Sequence, residues 1–211
     1  MTLPLNINGK NIDVSANPTD TLLSALRGAG FFSVRFGSHD GKTGAAAVLV
    51  DGHLVNSDVL LAGQAVGHKI ETVEGLNPGV NELHPIQKAF VETGAIQSGY
   101  STPAMILAAK ALLDRNLQPT ETEVRDALSG ILCRETGYVK PVQAVLRAAA
   151  YLRGEDVPPY DGPPIIDASY FVENPPAPDD DGPELAGGPS GAVQTQTKPR
   201  TDILLTSGVP E

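Results

Sequence analysis

The chain has 211 residues, of which 41% are hydrophobic and 19% charged, and its formal net charge is −10, a composition that supports a packed core and excludes disorder throughout. Cys133 is the only cysteine, which excludes an internal disulfide and a metal site built from several thiolates. The sequence contains neither an apolar run long enough to span a membrane nor a secretory signal at its N-terminus, so we expect a cytoplasmic protein.

The first third of the chain has the pattern of a small β-rich domain. Apolar residues alternate on either side of Asn8-Gly9, a dipeptide typical of a tight hairpin turn. The predicted elements are, in order, strands at 3–7 and 12–14, a helix at 21–27, a glycine-rich loop at 36–44, and strands at 46–50, 53–56 and 69–73. This order of strands around one helix predicts an α+β fold.

From residue 84 onward the hydrophobic period becomes that of helices. Ser101 or Thr102 is predicted to cap the longest helix, and Thr120 with Glu123 has the form of a capping box. The predicted helices lie at 85–91, from 101 or 102 to near 116, from 120 onward, and at 141–152. With their short connections they predict a four-helix bundle, separated from the β-rich part by a linker at 75–80.

The last part of the chain, residues 154–211, differs sharply in composition from the rest. It holds 11 Asp or Glu, 2 Lys or Arg, and 11 of the 18 prolines, so its net charge is −9 whereas residues 1–153 carry −1. Neither part has the basic face of a nucleic-acid-binding protein. A segment this rich in Pro, Gly and Asp buries too little apolar surface to fold alone. We expect it to wrap a partner subunit; the alternative is a loose linker.

Three long segments carry a specific resemblance: FGSHDGKTGAAAVLVDGHLVNSD, HPIQKAFVETGAIQSGYSTPAMILAAKALLD and PTETEVRDALSGILCRETGY. Over roughly residues 3–153, the chain resembles the iron–sulfur small subunit of the xanthine dehydrogenase (molybdenum hydroxylase) family. The resemblance implies three parts: a plant-type ferredoxin-like (β-grasp) domain at 1–77, a helical domain of the [2Fe–2S]-binding type at 81–153, and an extended tail at 154–211.

The family carries two [2Fe–2S] clusters held by cysteine thiolates. The positions that match these ligands are Ser38, Thr43, Ala46 and Asp58 for the first cluster, and Ser98, Ser101, Cys133 and Glu135 for the second. Only Cys133 offers a thiolate, and hydroxyl or methyl groups are poor substitutes for this soft ligand. From these positions we expect no [2Fe–2S] cluster in this chain, and we expect no other metal site.

The resemblance also implies a contact with a molybdopterin cofactor that a large subunit binds. Gln97 matches the glutamine that reaches the pterin in the family, and an amide can both donate and accept hydrogen bonds. Cys133 and Glu135 match a segment beside the pterin and are predicted to share this contact. The alternatives are a helix-end hydrogen bond for Gln97 and ordinary packing for Cys133. We predict no catalytic residue in this chain.

These expectations combine into a cluster-free, non-catalytic small subunit that docks on a molybdopterin-binding large subunit and helps to close its cofactor site. The partner reaction would then be non-redox, such as hydration, or would use a non-standard electron acceptor, and the missing clusters argue against a flavin subunit. The assembly would be a heterodimer or a dimer of heterodimers. Two alternatives remain: an oxidoreductase electron-transfer subunit with an unusual residual cluster held by Cys133, Ser98, Ser101 and Glu135, and a free adaptor protein.

Overall fold

The computed structural model describes residues 1–77, 79 and 82–161, and it has the predicted α+β composition. Its strands are β1 (Thr2–Ile7), β2 (Lys10–Ser15), β3 (Ala47–Val50), β4 (His53–Asn56) and β5 (Lys69–Glu71). Its α-helices are α1 (Leu22–Gly28), α2 (Pro85–Glu92), α3 (Thr102–Leu113), α4 (Glu121–Leu128) and α5 (Val139–Leu152). The predicted wrapping of a partner by the tail concerns residues 154–211, of which those beyond 161 lie outside the described part.

The five strands form one mixed sheet in the order β2-β1-β5-β3-β4, in which β1 and β5 are parallel and the other neighbours antiparallel. Asn8 and Gly9 have positive φ angles and make the predicted hairpin turn between β1 and β2. The Asn8 side chain accepts from the Thr72 backbone N–H and donates to the Thr72 hydroxyl, each at 2.9 Å. Strand β5 ends at Glu71 and not at the predicted residue 73, because a helical turn begins at Val73.

Strand β3 is buried on both faces and joins two hydrophobic clusters. Successive side chains of a strand point to opposite faces, so Val48 packs with the β-sheet and α1, whereas Ala47 and Leu49 pack with the helices. The helical cluster is centred on α3, whose residues are almost all buried. The sheet and the helices are therefore packed against each other through this central strand.

A local capping signal accounts for the start of α4 but not for that of α3, where the predicted cap Ser101 occupies the N-cap position and its side chain makes no capping hydrogen bond. Thr120 and Glu123 form the predicted capping box at the start of α4. Helix α5 begins at Val139, two residues before the prediction, because Pro141 is tolerated within the first turn of a helix. Within the described residues, no helix is both long enough and apolar enough to cross a membrane.

Candidate functional site

The positions matching the second cluster lie together, although they come from two separate loops. The loop between α2 and α3 supplies Ser98 and Ser101, and the loop between α4 and α5 supplies Cys133 and Glu135. The Ser98 backbone N–H donates to Glu135 Oε2 at 3.1 Å, and Ser101 is close enough to the Cys133 thiol to lower its pKa. The Thr136 hydroxyl donates to Cys133 Sγ at 3.4 Å. We call this group of side chains the Cys133 site.

Hydrogen bonds at the Cys133 site favour negative charge. Partial burial opposes ionisation of the Cys133 thiol, but donation from Ser101 and Thr136 outweighs it and sets the thiol pKa below its ordinary value. The side chain and backbone of Ser98 donate to Glu135 and lower the pKa of that exposed carboxyl. The site therefore presents two acceptors for a partner that carries hydrogen-bond donors.

Gln97 stands beside this site, at the exposed end of the loop that follows α2. In the described part of the chain, its side chain makes no hydrogen bond, so its amide is available on both its donor and its acceptor side. Gln97, Cys133 and Glu135 are thus neighbours in sequence or in space on the same pair of loops. Their contact with a cofactor stays a prediction.

Tyr138 holds the loop that carries Cys133, a role that the sequence analysis missed. Its hydroxyl donates to the Ile131 carbonyl at 2.7 Å and accepts from the Cys133 backbone N–H at 2.8 Å. Tyr138 reaches both groups from a left-handed backbone conformation with a φ of 64°. Such a φ is uncommon for a residue other than glycine, and the two hydrogen bonds compensate for it. The only sequence signal is a tyrosine directly after Gly137, in the loop before α5.

Three of the positions matching the first cluster lie in the loop before β3, and the fourth, Asp58, follows β4. Ser38 donates to Asp58 Oδ2 at 3.5 Å, a long hydrogen bond, and Ala46 is fully buried. The carbonyl of Thr43 accepts from the Leu132 backbone N–H at 2.9 Å, one residue before Cys133. The Thr43 carbonyl therefore connects this loop to the Cys133 site. Among the described residues, no group of three or more His, Cys, Asp or Glu could hold a metal ion.

Gly44 allows the close approach of these two loops. Its φ is 67°, and a Cβ built on it would lie 2.1 Å from the Gly130 carbonyl oxygen. A distance under 3.0 Å is a steric clash with backbone that cannot be relieved by rotating a side chain. Only glycine fits at this position, on both conformational and steric grounds.

Comparison with known proteins shows what the chain is similar to. Residues 72–146 match the model of the [2Fe-2S] binding domain family. The chain is 44% identical over 151 residues to the nicotinate dehydrogenase small FeS subunit of Eubacterium barkeri, with 71% of this chain and 94% of the relative covered. It is 40% identical over 148 residues to the xanthine dehydrogenase iron-sulfur-binding subunit of Escherichia coli O157:H7, with 69% of this chain and 92% of that subunit covered.

Solved structures share the fold. Quinoline 2-oxidoreductase from Pseudomonas putida 86 contains a chain that is 38% identical with a TM-score of 0.68, and the match covers 74% of this chain and 98% of that one. The aldehyde oxidoreductase from Desulfovibrio desulfuricans ATCC 27774 is 38% identical with a TM-score of 0.70, over 74% of this chain and 18% of the longer one.

These comparisons overturn the prediction of a cluster-free, non-redox subunit. The matched relatives are named as FeS and iron-sulfur-binding subunits, and the matched domain model is that of a [2Fe-2S] binding domain. They favour the alternative, an electron-transfer subunit of an oxidoreductase. The prediction counted ligands at eight positions, whereas the family role is indicated by similarity along about 150 residues.

The side chains at the matching positions do not themselves fit a four-thiolate cluster. The Cys133 site has one sulfur, and the neighbouring hydroxyls belong to Ser101 and to Thr136, the latter already donating to that sulfur. Among the positions that match the first cluster, the buried Ala46 methyl offers no ligand atom and Asp58 offers only carboxylate oxygens. Clusters of this kind are held by four thiolates, or by two thiolates with two histidines. We therefore derive no electron-transfer step through a cluster in this chain.

The length and identity of the sequence matches decide which family the chain belongs to. Two relatives more than 39% identical are covered over more than nine tenths of their own length, and the fold agrees with that of a 38% identical solved chain. The chain therefore belongs to the iron–sulfur small subunits of the xanthine dehydrogenase (molybdenum hydroxylase) family.

Proposed function

We propose that this chain is the electron-transfer small subunit of an oxidoreductase complex, in which it docks on a molybdopterin-binding large subunit. The observation that carries the proposal is the 44% identity to a nicotinate dehydrogenase small FeS subunit over 94% of that subunit's length. A match of that length includes both loops that meet at the Cys133 site. The eight matching positions contain one thiolate, so the iron content of the purified complex is the measurement that identifies the redox group.

The finer architecture is part of this proposal. The mixed sheet with one helix corresponds to a ferredoxin-like (β-grasp) domain at 1–77, and helices α2 to α5 correspond to a helical domain of the [2Fe–2S]-binding type at 81–153. Matching of residues 72–146 to a [2Fe-2S] binding domain supports the second assignment. A cytoplasmic location and the pairing of two heterodimers stay predictions.

We further propose that Gln97, Cys133 and Glu135 meet the molybdopterin cofactor of the large subunit. The Gln97 amide is exposed and makes no hydrogen bond among the described residues. Glu135 is an exposed carboxylate, and Cys133 is a partly exposed thiol whose pKa is lowered. An amide with two acceptors on adjoining loops complements the donors and acceptors on the edge of a pterin ring.

The test is to purify the complex that forms around the full chain and to measure iron and molybdenum per protomer. Molybdenum in a large chain that co-purifies supports docking, and its absence would overturn the proposal. Iron at about two or more atoms per protomer, with no other iron-binding chain present, supports the electron-transfer role through the cluster size. Molybdenum without iron would refute that role and leave docking intact.

Gln97→Ala tests the cofactor contact, with Gln118→Ala as the matched control. Gln118 is an exposed glutamine in the loop between α3 and α4, away from the Cys133 site. Only Gln97→Ala is expected to lower the molybdopterin content of the complex or its activity, whereas both variants should retain the large subunit. Equal cofactor content and activity in the two variants would contradict the contact.

A further inference from the structure

The chain turns back on itself at the end of α5. Gly154 has a φ of 75°, the left-handed conformation that commonly follows the end of a helix. The Glu155 backbone N–H then donates to the Ala150 carbonyl at 3.1 Å, and the Arg153 guanidinium pairs with the Glu155 carboxylate. The residues after α5 therefore start out along the surface of that helix.

Two further hydrogen bonds keep this segment on α5. Arg147 Nη2 donates to the Pro158 carbonyl at 2.7 Å, and the Tyr160 hydroxyl donates to Gln143 Oε1 at 2.8 Å. Arg147 is itself fixed by an ion pair with Glu92 of α2 at 2.7 Å. The helix partners step from 150 to 147 to 143 while the chain advances from 155 to 158 to 160. The segment therefore runs antiparallel to α5, toward the N-terminus of that helix.

The row of α5 side chains that this segment follows ends in exposed apolar surface. Positions spaced by three or four residues share one face of a helix, which places 139, 143, 147 and 150 in one row. Val139 is the first residue of α5 and is 55% exposed. Leu132, which is 61% exposed, lies in the stretch of loop that the Tyr138 hydroxyl ties to the start of the helix. Two aliphatic side chains are thus uncovered, within the described residues, at the point toward which the segment runs.

The residues that follow have the length and the apolar character to cover this surface. From 158 to 160 the segment passes four positions of α5, about 6 Å at 1.5 Å per residue, and two residues of extended chain span a similar length. At this rate residue 162 comes level with position 139. Pro163, Pro164 and Ile165 come next, and consecutive prolines favour an extended polyproline conformation. The sequence therefore supplies an apolar group at the required distance.

Charge also favours contact between this segment and the start of α5. Lys140 directly follows Val139, and Arg134 is exposed in the preceding loop. Neither makes an ion pair in the described part of the chain. Asp161, the last described residue, is exposed, and residues 154–211 carry a net charge of −9. Surfaces of opposite charge attract each other.

We propose that residues 163–165, which lie outside the described part of the chain, pack on the exposed side chains of Val139 and Leu132. The occupant of this surface is the chain's own segment, since three described hydrogen bonds direct it there and only one glycine separates Asp161 from Pro163. The contact is non-covalent and holds the tail on its own subunit as far as residue 165. Wrapping of a partner, predicted for residues 154–211, is then limited to residues beyond 165.

The test is acrylamide quenching of a single tryptophan in the full chain, which has none of its own. Ile165→Trp introduces an indole into the segment, and its emission is expected to be protected from acrylamide in the folded chain and to lose that protection in urea. Val139→Asp, combined with Ile165→Trp, should lower the ratio of packed to unpacked segments about 5–30-fold, because it replaces an apolar contact with a charge. An acidic residue suits the first turn of a helix, so this variant retains α5.

Val59→Asp is the matched control, because Val59 is 54% exposed and follows β4 in the β-rich half, and it should leave the quenching unchanged. A second measurement needs no substitution: nuclear Overhauser contacts are expected between the methyl groups of Ile165 and those of Val139 or Leu132 in the unmodified chain. Equal quenching of the indole in the folded chain and in urea, or protection that Val139→Asp leaves intact, would overturn the proposal. So would equal loss of protection with Val59→Asp, the absence of those methyl contacts, or protection that arises only when the molybdopterin-binding large subunit is added.

Discussion

Replacing Tyr138 with phenylalanine tests whether this side chain holds the loop of the Cys133 site. The substitution removes only a hydroxyl, which bridges the Ile131 carbonyl and the Cys133 backbone N–H at 2.7 and 2.8 Å. Each hydrogen bond contributes about 0.5–1.5 kcal/mol net. We therefore expect Tyr138→Phe to lower the free energy of unfolding by about 1–3 kcal/mol, with a tenfold change in the equilibrium for every 1.4 kcal/mol.

Urea denaturation of the full chain measures this loss, and alkylation of Cys133 as a function of pH measures its local effect. Because the loop holds the thiol near Ser101 and Thr136, loosening it should move the alkylation midpoint up toward the ordinary cysteine pKa, about 8.5. Tyr160→Phe is the control, since the Tyr160 hydroxyl makes one exposed hydrogen bond, to Gln143. If Tyr138→Phe kept both the urea midpoint and the alkylation midpoint of the unmodified chain, Tyr138 would not position this loop.

Two further predictions concern the loop contact and a helix pair. Gly44→Ala should lower the free energy of unfolding by about 3 kcal/mol or more in a urea titration, because the added Cβ is both strained and overpacked. Gly52→Ala is the control: its backbone is equally strained, but nothing lies within 4 Å of the added Cβ, so it should lose less stability. At Glu92, burial opposes ionisation, but hydrogen bonds from Tyr151 and Arg147 hold the pKa below its ordinary value. The stabilisation that ionised Glu92 gives the folded chain is complete above the pKa of Glu in the unfolded chain, about 4.3. It is lost as the pH falls through the lower pKa that Glu92 has in the folded chain. As the pH is lowered over that range, the urea midpoint of Glu92→Gln should therefore fall less than that of the unmodified chain. Equal falls in the two proteins would refute this role of Glu92.

Local sequence patterns predicted most of the elements because their causes are local. The Asn8-Gly9 turn depends on positive φ angles, and the start of α4 depends on the reciprocal bonds of Thr120 and Glu123. Tyr138 was missed although its partners are only five and seven residues away, because no pattern marks a side chain that bonds to backbone. Other missed features depend on contacts between distant segments. Directly after β5, the Thr72 backbone N–H donates to Asn8 Oδ1, 64 positions away, and neither periodicity nor propensity encodes such a pairing.

The function was predicted less well than the fold, for a physical reason. The preference of iron–sulfur clusters for soft thiolate ligands correctly describes what one cysteine can hold. That argument, however, considers only the residues at the ligand positions. The role of a subunit depends on surfaces and loops along the whole chain, which are the features that 44% identity over 151 residues reflects. Counting ligands therefore described the donor set correctly and gave the wrong function for the subunit.

The two loops that match the cluster positions differ in how far their polar groups are satisfied. At the Cys133 site the Cys133 thiol, the Glu135 carboxylate and the neighbouring backbone groups have partners. Beside the first loop, the buried Ser57 hydroxyl donates to the Ala46 carbonyl, yet its neighbour Asp58 has a buried carboxylate oxygen with no partner among the described residues. Buried polar groups are normally paired, because leaving one without a partner is unfavourable. Among the described residues, the polar groups of the Cys133 site are therefore satisfied whereas one carboxylate oxygen beside the first loop is not, although the Leu132 backbone N–H, which donates to the Thr43 carbonyl, joins the two loops.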